Sequence, residues 1–287
     1  MLRSRLSRLT LVPLDQPERF ADALWSRLRR EAKDGCAAAP MLAPLFIESI
    51  INQPTFEAAM FHRIAARLKN DVIGLPLIVH AFHRAHAADP MIAEALKADL
   101  SAVFERDPAC ERLIEPFLYF KGFHAIQAHR LTHWLWHAQE RDFALYLQSR
   151  SSEVFQTDIH PAARFGRGIF LDHATGLVVG ATAVIEDDVS LLQNVTLGGT
   201  GKEAGDRHPK VRRGAMIGAG AKILGNLEVG ENARVAAGSV VLRAVPANTT
   251  VAGVPAKVVR TTTPDEPSRS MDQVLSDLAY QSFSWTI

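Results

Sequence analysis

Two short stretches carry side chains that could do chemistry together. In Leu171-Asp172-His173-Ala174-Thr175-Gly176 an imidazole is flanked by a carboxylate, and a further carboxylate, Asp158, stands fifteen residues before it. A carboxylate that accepts from one ring nitrogen fixes the tautomer and raises the basicity of the other, which is what a general base for an alcohol requires. In Asp206-Arg207-His208-Pro209-Lys210 a guanidinium suited to bidentate capture of a carboxylate stands beside a second imidazole. The pair of motifs suggests a zwitterionic small molecule with an attackable hydroxyl. Small residues at Ala219, Gly220, Ala237 and Gly238 leave shallow room for an extended acyl-thioester arm.

What must position these side chains is a repeat. From Ile159 to about Lys257 an apolar residue returns every six positions, with a small or branched residue four places later. First positions run Ile159, Phe165, Leu171, Val179, Ile185, Leu191, Leu197, Val211, Ile217, Ile223, Val229, Val235 and Val241; their partners include Ala163, Ile169, Thr175, Ala183, Ala215, Ala221 and Ser239. Neither a helix of period 3.6 nor a strand of period 2 keeps that beat, whereas a coil of short flat faces does. The expectation is a parallel β-helix over 158–260, with coils stacked roughly 4.8 Å apart on one column of Ile, Val and Leu. Gly166, Gly180, Gly218 and Gly230 each follow a first position, where turning a corner would strain a residue that has a Cβ.

Two interruptions break the beat. Leu177 and Val178 add two residues, and the polar run 198–210 reads as an extruded loop. His173 falls third in its hexad, hence at a corner or on the outer surface. Asp158 lies three residues short of a full eighteen-residue coil from it, so simple stacking does not superimpose the two; counting with the insertion places Gln193 over His173.

Residues 17–157 change to helical periodicity punctuated by Pro, Asp and Asn. Helices are expected over 18–33, 41–51, 55–69, 76–87, 90–105, 123–139 and 143–155. The class is therefore α+β, an all-helical domain followed by a β-helix. Asp107-Pro108 ends one helix, and by composition alone Asp107 is an ordinary helix-end carboxylate. His129, His133 and His137 line one helical face beside Trp134 and Trp136. Zinc needs ligands converging from more directions than one face supplies, so the stripe is read as packing or interface and no metal is expected.

Residues 1–16 are a basic extension, and 1–14 have the Arg-, Ser- and Thr-containing, acid-free composition of an organellar transit peptide. Residues 261–287 form a tail whose Thr-, Pro- and Ser-rich start, 261–270, reads as a flexible link. A chain of 287 residues, 47% of them hydrophobic, has ample core. A net charge of +1 without a basic tract argues against nucleic acid or an anionic membrane surface as partner, and no apolar run approaches the ~20 residues of a membrane span. Cys36 and Cys110, far apart and outside any C-x-x-C pair, fit a reducing compartment.

The motifs Asp158-Ile159-His160-Pro161-Ala162, Leu171 to Gly176, Val195-Thr196-Leu197-Gly198-Gly199-Thr200-Gly201-Lys202, Asp206 to Lys210 and Ala252-Gly253-Val254-Pro255-Ala256-Lys257 resemble those of serine O-acetyltransferases. Tyr119 to Ala125 resembles the helical domain of that family, so the likeness spans nearly the whole chain. The resemblance implies a left-handed β-helix and acetyl transfer from acetyl-CoA to L-serine in cysteine biosynthesis. It implies His173 as general base oriented by Asp158, Asp107 and Asp172 holding the amino group, and Arg207 and His208 addressing the carboxylate. Gly199, Ala219 and Ala237 would meet the pantetheine arm, and Lys257 a phosphate. It further implies a trimer with acetyl-CoA between neighbouring β-helices, pairing of trimers into a hexamer, inhibition by L-cysteine at the serine site, and a cytoplasmic enzyme whose C-terminal Ile287 enters the active site of O-acetylserine sulfhydrylase.

Three other readings use parts of the same pattern. A hexapeptide-repeat acetyltransferase for a sugar or amino sugar shares the column and a catalytic His but has no obvious use for Asp107, Arg207 and His208 together. A β-helix carbonic anhydrase needs three histidines converging on a metal, and the array holds only His160, His173 and His208. A scaffold acting through its tail needs no catalytic groups.

Overall fold

Helical segments are punctuated where their residues stop donating or start capping. The computed structural model describes residues 17–201, 204–261 and 266–273. The extension 1–16 and Ile287 lie outside the described residues. Helix α1 spans Pro17–Ala38. The expected helix over 41–51 is instead split into a 3-10 turn (Pro40–Leu42), a single α turn, α2 (Ala43–Phe46), and a π turn (Ile47–Ile51), because Pro40 and Pro44 interrupt the backbone donors. Thr55 caps α3 (Phe56–Leu68), its hydroxyl accepting from Ala58 N at 3.1 Å.

Next come α4 (Leu75–Ala88), with Pro76 in its first turn, and α5 (Met91–Arg106), which ends at Asp107 as expected. A short α6 (Ile114–Leu118), not evident in the periodicity, precedes α7 (Lys121–His137) and α8 (Arg141–Phe155). Phe61 stacks on Phe82 with centroids 4.9 Å apart, and buried Phe56, Phe117, Phe123 and Phe155 complete the helical core.

The hexads fold into three parallel sheets joined at corners, a triangular column. Face A holds β1 (Thr157–Ile159), β4 (Leu177–Val179), β7 (Thr196–Gly198), β10 (Lys222–Leu224) and β13 (Val240–Val241). Face B holds β2 (Arg164–Phe165), β5 (Val184–Ile185), β8 (Lys210–Val211) and β11 (Glu228–Val229). Face C holds β3 (Phe170–Leu171), β6 (Ser190–Leu191), β9 (Met216–Ile217), β12 (Arg234–Val235) and β14 (Thr249–Gly253), with β15 (Ala256–Thr261) beyond it. First-position residues point inward and are buried; Phe165 is half-buried and meets the ring of His129 instead. The chain leaves the column after β7 and rejoins it at β8, where the loop is expected.

Three expectations about the coils are corrected. Leu177 and Val178 are not the insertion, since they pair in register with Thr157 and Asp158; the two extra residues lie in the corner 172–176. That bulged corner turns Ala174 inward, fully buried, and leaves Thr175 exposed, the reverse of the hexad reading. Gly166, Gly180, Gly218 and Gly230 are demanded by close approach of the next coil rather than by corner dihedrals. A Cβ on Gly230 would stand 2.4 Å from Ala247 N, and one on Gly218 2.6 Å from Ala237 N.

The last strand, β15, runs antiparallel to β14, so Ala252 to Lys257 forms a hairpin rather than a coil. Part of the supposed flexible link is tied down: Pro267–Ser270 forms the short helix α9, Ser268 N donates to Gly214 O, and Ser268 O accepts from Ser190 Oγ at 2.8 Å.

The helical domain grips the first two coils. Asp99 on α5 is fully buried; its Oδ2 accepts from Arg130 Nη2 (2.6 Å) and Gln127 Nε2 (2.9 Å), and its Oδ1 from Ile169 N (2.8 Å). Arg130 also donates to Gly166 O at 2.8 Å. The histidine stripe packs within the chain: His129 Nε2 donates to Ala163 O, and His133 Nδ1 donates to Pro161 O.

Two buried histidines, His124 and His129, make stability depend on pH. His124 donates from Nε2 to Phe117 O at 2.8 Å, and burial pushes its pKa down to about 3; His129 is likewise driven down by burial, helped by the charges of His133 and Arg130. Unfolded, both protonate near pH ~6.5. The unfolded state then binds more protons, so the stability they allow is present above that pH and lost as pH falls below it. Urea titrations at fixed protein concentration should show unfolding free energy falling between pH ~7.5 and ~5.5, by up to about 1.4 kcal/mol per pH unit per histidine, with a shallower slope in His124→Gln.

Candidate functional site

The corner between faces C and A of the first coil presents His173. Its two extra residues are held by left-handed backbone at His173 (φ 54°), Ala174 (φ 59°) and Gly176 (φ 74°). Asp172 N donates to Leu191 O and Asn194 N to Thr175 O, so Gln193 lies against the bulge, as the coil count anticipates. The His173 side chain is 75% exposed, with Nε2 3.8 Å from Asp172 Oδ1, an ion-pair distance beyond hydrogen-bond reach. Burial raises the pKa of Asp172, His173 pulls it back, and the negative charge of Asp107 raises it further, which places Asp107 beside this corner. Asp107 Oδ1 accepts from Ala109 N at 2.8 Å, fixing the carboxylate at the end of α5.

Residues that the chemical motifs did not single out hold this corner from behind. Lys121, opening α7, donates to Thr175 Oγ1 and to Gln156 Oε1. Gly122 follows because a Cβ there would fall 2.0 Å from Leu171 O; the Tyr119 to Ala125 segment carried that signal.

The second group sits at the opposite end of face A, at the corner between A and B. His208 is buried against Gly180, where a Cβ would stand 2.0 Å from the imidazole ring. Thr182 organises it: its hydroxyl accepts from Arg207 N (3.0 Å) and His208 N (3.1 Å) and lies 2.8 Å from His208 Nδ1, while Thr182 N donates to that same Nδ1 at 3.2 Å. A backbone N–H can only donate, so Nδ1 is unprotonated and the ring proton resides on Nε2. Burial lowers the pKa of His208, and the charges of Arg207, Lys210 and His160 lower it further.

Lys210 Nζ ties the loop down on Asp206 Oδ1 (2.6 Å), Thr182 O and His208 O. Gly199 packs beside the Arg207 stem, where a Cβ would be 3.3 Å from Arg207 Cγ. Thr182 has no motif of its own, so only the fold reveals it.

Asp158 faces outward on β1, in register with Val178, and accepts from Gln148 Nε2 at 2.6 Å; no ion pair joins it to His173 within one chain. Ala219 and Ala237 stack in the same corner column as His173, linked by Gly238 N donating to Ala219 O at 2.8 Å. Ala237 is three coils along, on the order of 14 Å at 4.8 Å per coil. Lys257 is exposed on β15, paired with Ala252.

The chain thus brings together Asp107, Asp172 and His173 at one corner, and Gly199, Arg207 and His208 at the other. The three-residue strand β4 separates Gly176 from Gly180, four residue steps or roughly 13 Å. A cavity of about 620 Å³ lies at neither corner but between α5, α7 and coil one, lined by Ile92, Trp134, His137 and Phe165.

The fixed tautomer is directly observable. At pH ~7, ¹⁵N spectra should show His208 Nδ1 as the bare, pyridine-like nitrogen and Nε2 as the protonated one, with the ring titrating below the ordinary histidine value of ~6.5.

Comparison with known proteins bears on the family of the chain. Residues 24–128 match the family described as serine acetyltransferase, N-terminal, and residues 208–243 match bacterial transferase hexapeptide repeats. A serine acetyltransferase of Escherichia coli strain K12 is 50% identical over 252 residues, covering 88% of this chain and 92% of that one. The serine acetyltransferase of Brucella abortus strain S19, solved in complex with coenzyme A, is 54% identical with a TM-score of 0.84, covering 88% of this chain and 99% of that one. A serine acetyltransferase solved in complex with cysteine is 49% identical (TM-score 0.86, 88% and 98% covered). The Neisseria gonorrhoeae enzyme in complex with serine is 47% identical (TM-score 0.80, 83% and 97% covered). With likeness at this level over both the helical domain and the β-helix, the chain belongs to the serine acetyltransferase family, acetyl-CoA-dependent acyltransferases.

Proposed function

We propose that this protein transfers the acetyl group of acetyl-CoA to the hydroxyl of L-serine, giving O-acetylserine and CoA in a cytoplasmic route to cysteine. The observation that carries the reading is the exposed imidazole of His173 on a bulged corner beside Asp172 and Asp107. His173 takes the serine hydroxyl proton as the oxygen attacks the thioester carbonyl, and returns a proton to the departing thiolate. Asp107 and Asp172 hold the ammonium group. Arg207 and the Nε2–H of His208 hold the carboxylate, and Asp158 orients the base.

Because these groups occupy opposite ends of face A, too far apart for one small amino acid to bridge, the working site joins two subunits. A trimer of columns, His173 of one chain meeting Arg207 and His208 of the next, satisfies that requirement, and the helical domains pair trimers into a hexamer. Acetyl-CoA lies between neighbouring columns along Ala219 and Ala237, with Gly199 near the thioester and Lys257 near a phosphate. L-cysteine, which shares the ammonium and carboxylate of serine, competes for the same groups. Ile287, at the chain end, inserts into O-acetylserine sulfhydrylase.

Thiol release from acetyl-CoA, measured over a panel of amino acid and sugar acceptors, should depend on serine. His173→Ala should lower kcat by about 10²- to 10⁴-fold, the usual worth of a general base. Equal release with a sugar acceptor would sink the assignment. Deleting Ile287 should leave acetyl transfer intact and abolish co-elution with the sulfhydrylase.

A further inference from the structure

We propose that Arg106 is a positioning residue for serine binding: by locking the end of α5 onto the second coil, it sets the Asp107 carboxylate against Asp172. The inference rests on the reading of Asp107 as a holder of the serine ammonium group.

Arg106 is the last residue of α5, and its side chain is 2% exposed. Nη1 donates to Ser190 Oγ at 3.1 Å and Nη2 to Asp188 Oδ1 at 3.2 Å. Both acceptors belong to the second coil. Seven residues earlier on the same helical face, Asp99 accepts from Ile169 N of the first coil. Positions i and i+7 are two turns, about 10.5 Å, apart along a helix. Two fastenings at that separation fix both the place and the direction of the helix axis.

The backbone then leaves the helix within one residue. Asp107 has ψ 111°, yet its N–H still donates to Val103 O at 2.9 Å and its side chain is turned by Ala109 N. That hydrogen bond holds the carboxylate to the end of α5. Its distance from Asp172 is inherited from Arg106.

Stability does not account for a guanidinium at this place. Burying a charge carries a desolvation penalty that an ion pair seldom more than offsets, and apolar residues of similar volume commonly do as well. Asp188 is also supplied with other cations, Arg213 at 3.0 Å and Arg269 at 3.6 Å, so Arg106 is not needed to neutralise it. What only Arg106 does is reach from α5 to two acceptors at once, a fork that a lysine cannot reproduce.

The test uses the full-length protein, with steady-state kinetics in both substrates for wild type, Arg106→Gln, Arg106→Lys, Asp107→Ala and the Arg106→Gln/Asp107→Ala double variant. Arg106→Gln should raise the KM for serine roughly tenfold, leaving kcat and the KM for acetyl-CoA within about twofold, the pattern of lost uniform binding. Arg106→Lys should fall between. In the Asp107→Ala background, Arg106→Gln should add less than about twofold, because a residue acting through Asp107 has nothing left to position.

A serine KM unchanged in Arg106→Gln, or a full effect that persists without Asp107, overturns the proposal. If Asp107→Ala itself leaves the serine KM unchanged in an active enzyme, the assignment of Asp107 fails, and the proposal with it. Should Arg106→Gln not fold, Asp188→Asn and Ser190→Ala, each removing one acceptor, are put through the same cycle and judged by the same criteria.

Discussion

Asp99 has no exposed surface, and donors from α7 and from the first coil converge on its two oxygens. Burial pushes its pKa up while Arg130 and the neighbouring donors hold it back. Removing one partner of such a pair strands the other charge in the interior, a loss of about 3–5 kcal/mol. The seat of α5 on the first coil follows from this junction. It fixes α5 to the coil whose next corner bears His173, and Arg130 extends the same contact to the backbone at Gly166. A helical domain and a solenoid that could slide on one another would let Asp107 drift from Asp172.

The column supplies rigidity and the departures from its repeat supply chemistry. Where coils keep their beat, corner residues stack on corner residues and neighbouring backbones approach too closely for a Cβ, as at Gly218 and Gly230. Where two residues are added at 172–176, the chain enters left-handed backbone at consecutive non-glycine residues and lifts an imidazole clear of the surface. Where the loop 199–209 is added, Thr182 and Lys210 tie its return to the column and hold Arg207 and His208 at a corner. Locally costly conformations thus collect where function needs them.

Much of this was legible in the sequence because a six-residue period belongs to few architectures. The apolar beat located the coils, and the Asp-His motif was read at a corner or on the outer face; the Arg-His motif was read on the extruded loop, and only the fold shows that it returns at the other corner. The beat could not say where two extra residues go, since Leu177 and Val178 satisfy the pattern as well as the corner does; hydrogen-bond register between Thr157 and Leu177 decides it. Thr182 and Arg106 were illegible for another reason: each acts on a partner 25 or more residues away, with no local signature. The 40–51 segment failed because helical periodicity outlasts the helix when prolines remove its donors.

The reversed direction of β15 bears on solubility. A stack of parallel coils ends in a row of unmet peptide groups, an invitation for another solenoid to add itself and continue the pile into a fibre. On face C that row is occupied by a strand of the wrong polarity, Ala256–Thr261, returning through the turn at Val254 and Pro255. A newcomer adding there could not continue the parallel register of β14, which the chain itself has already taken up.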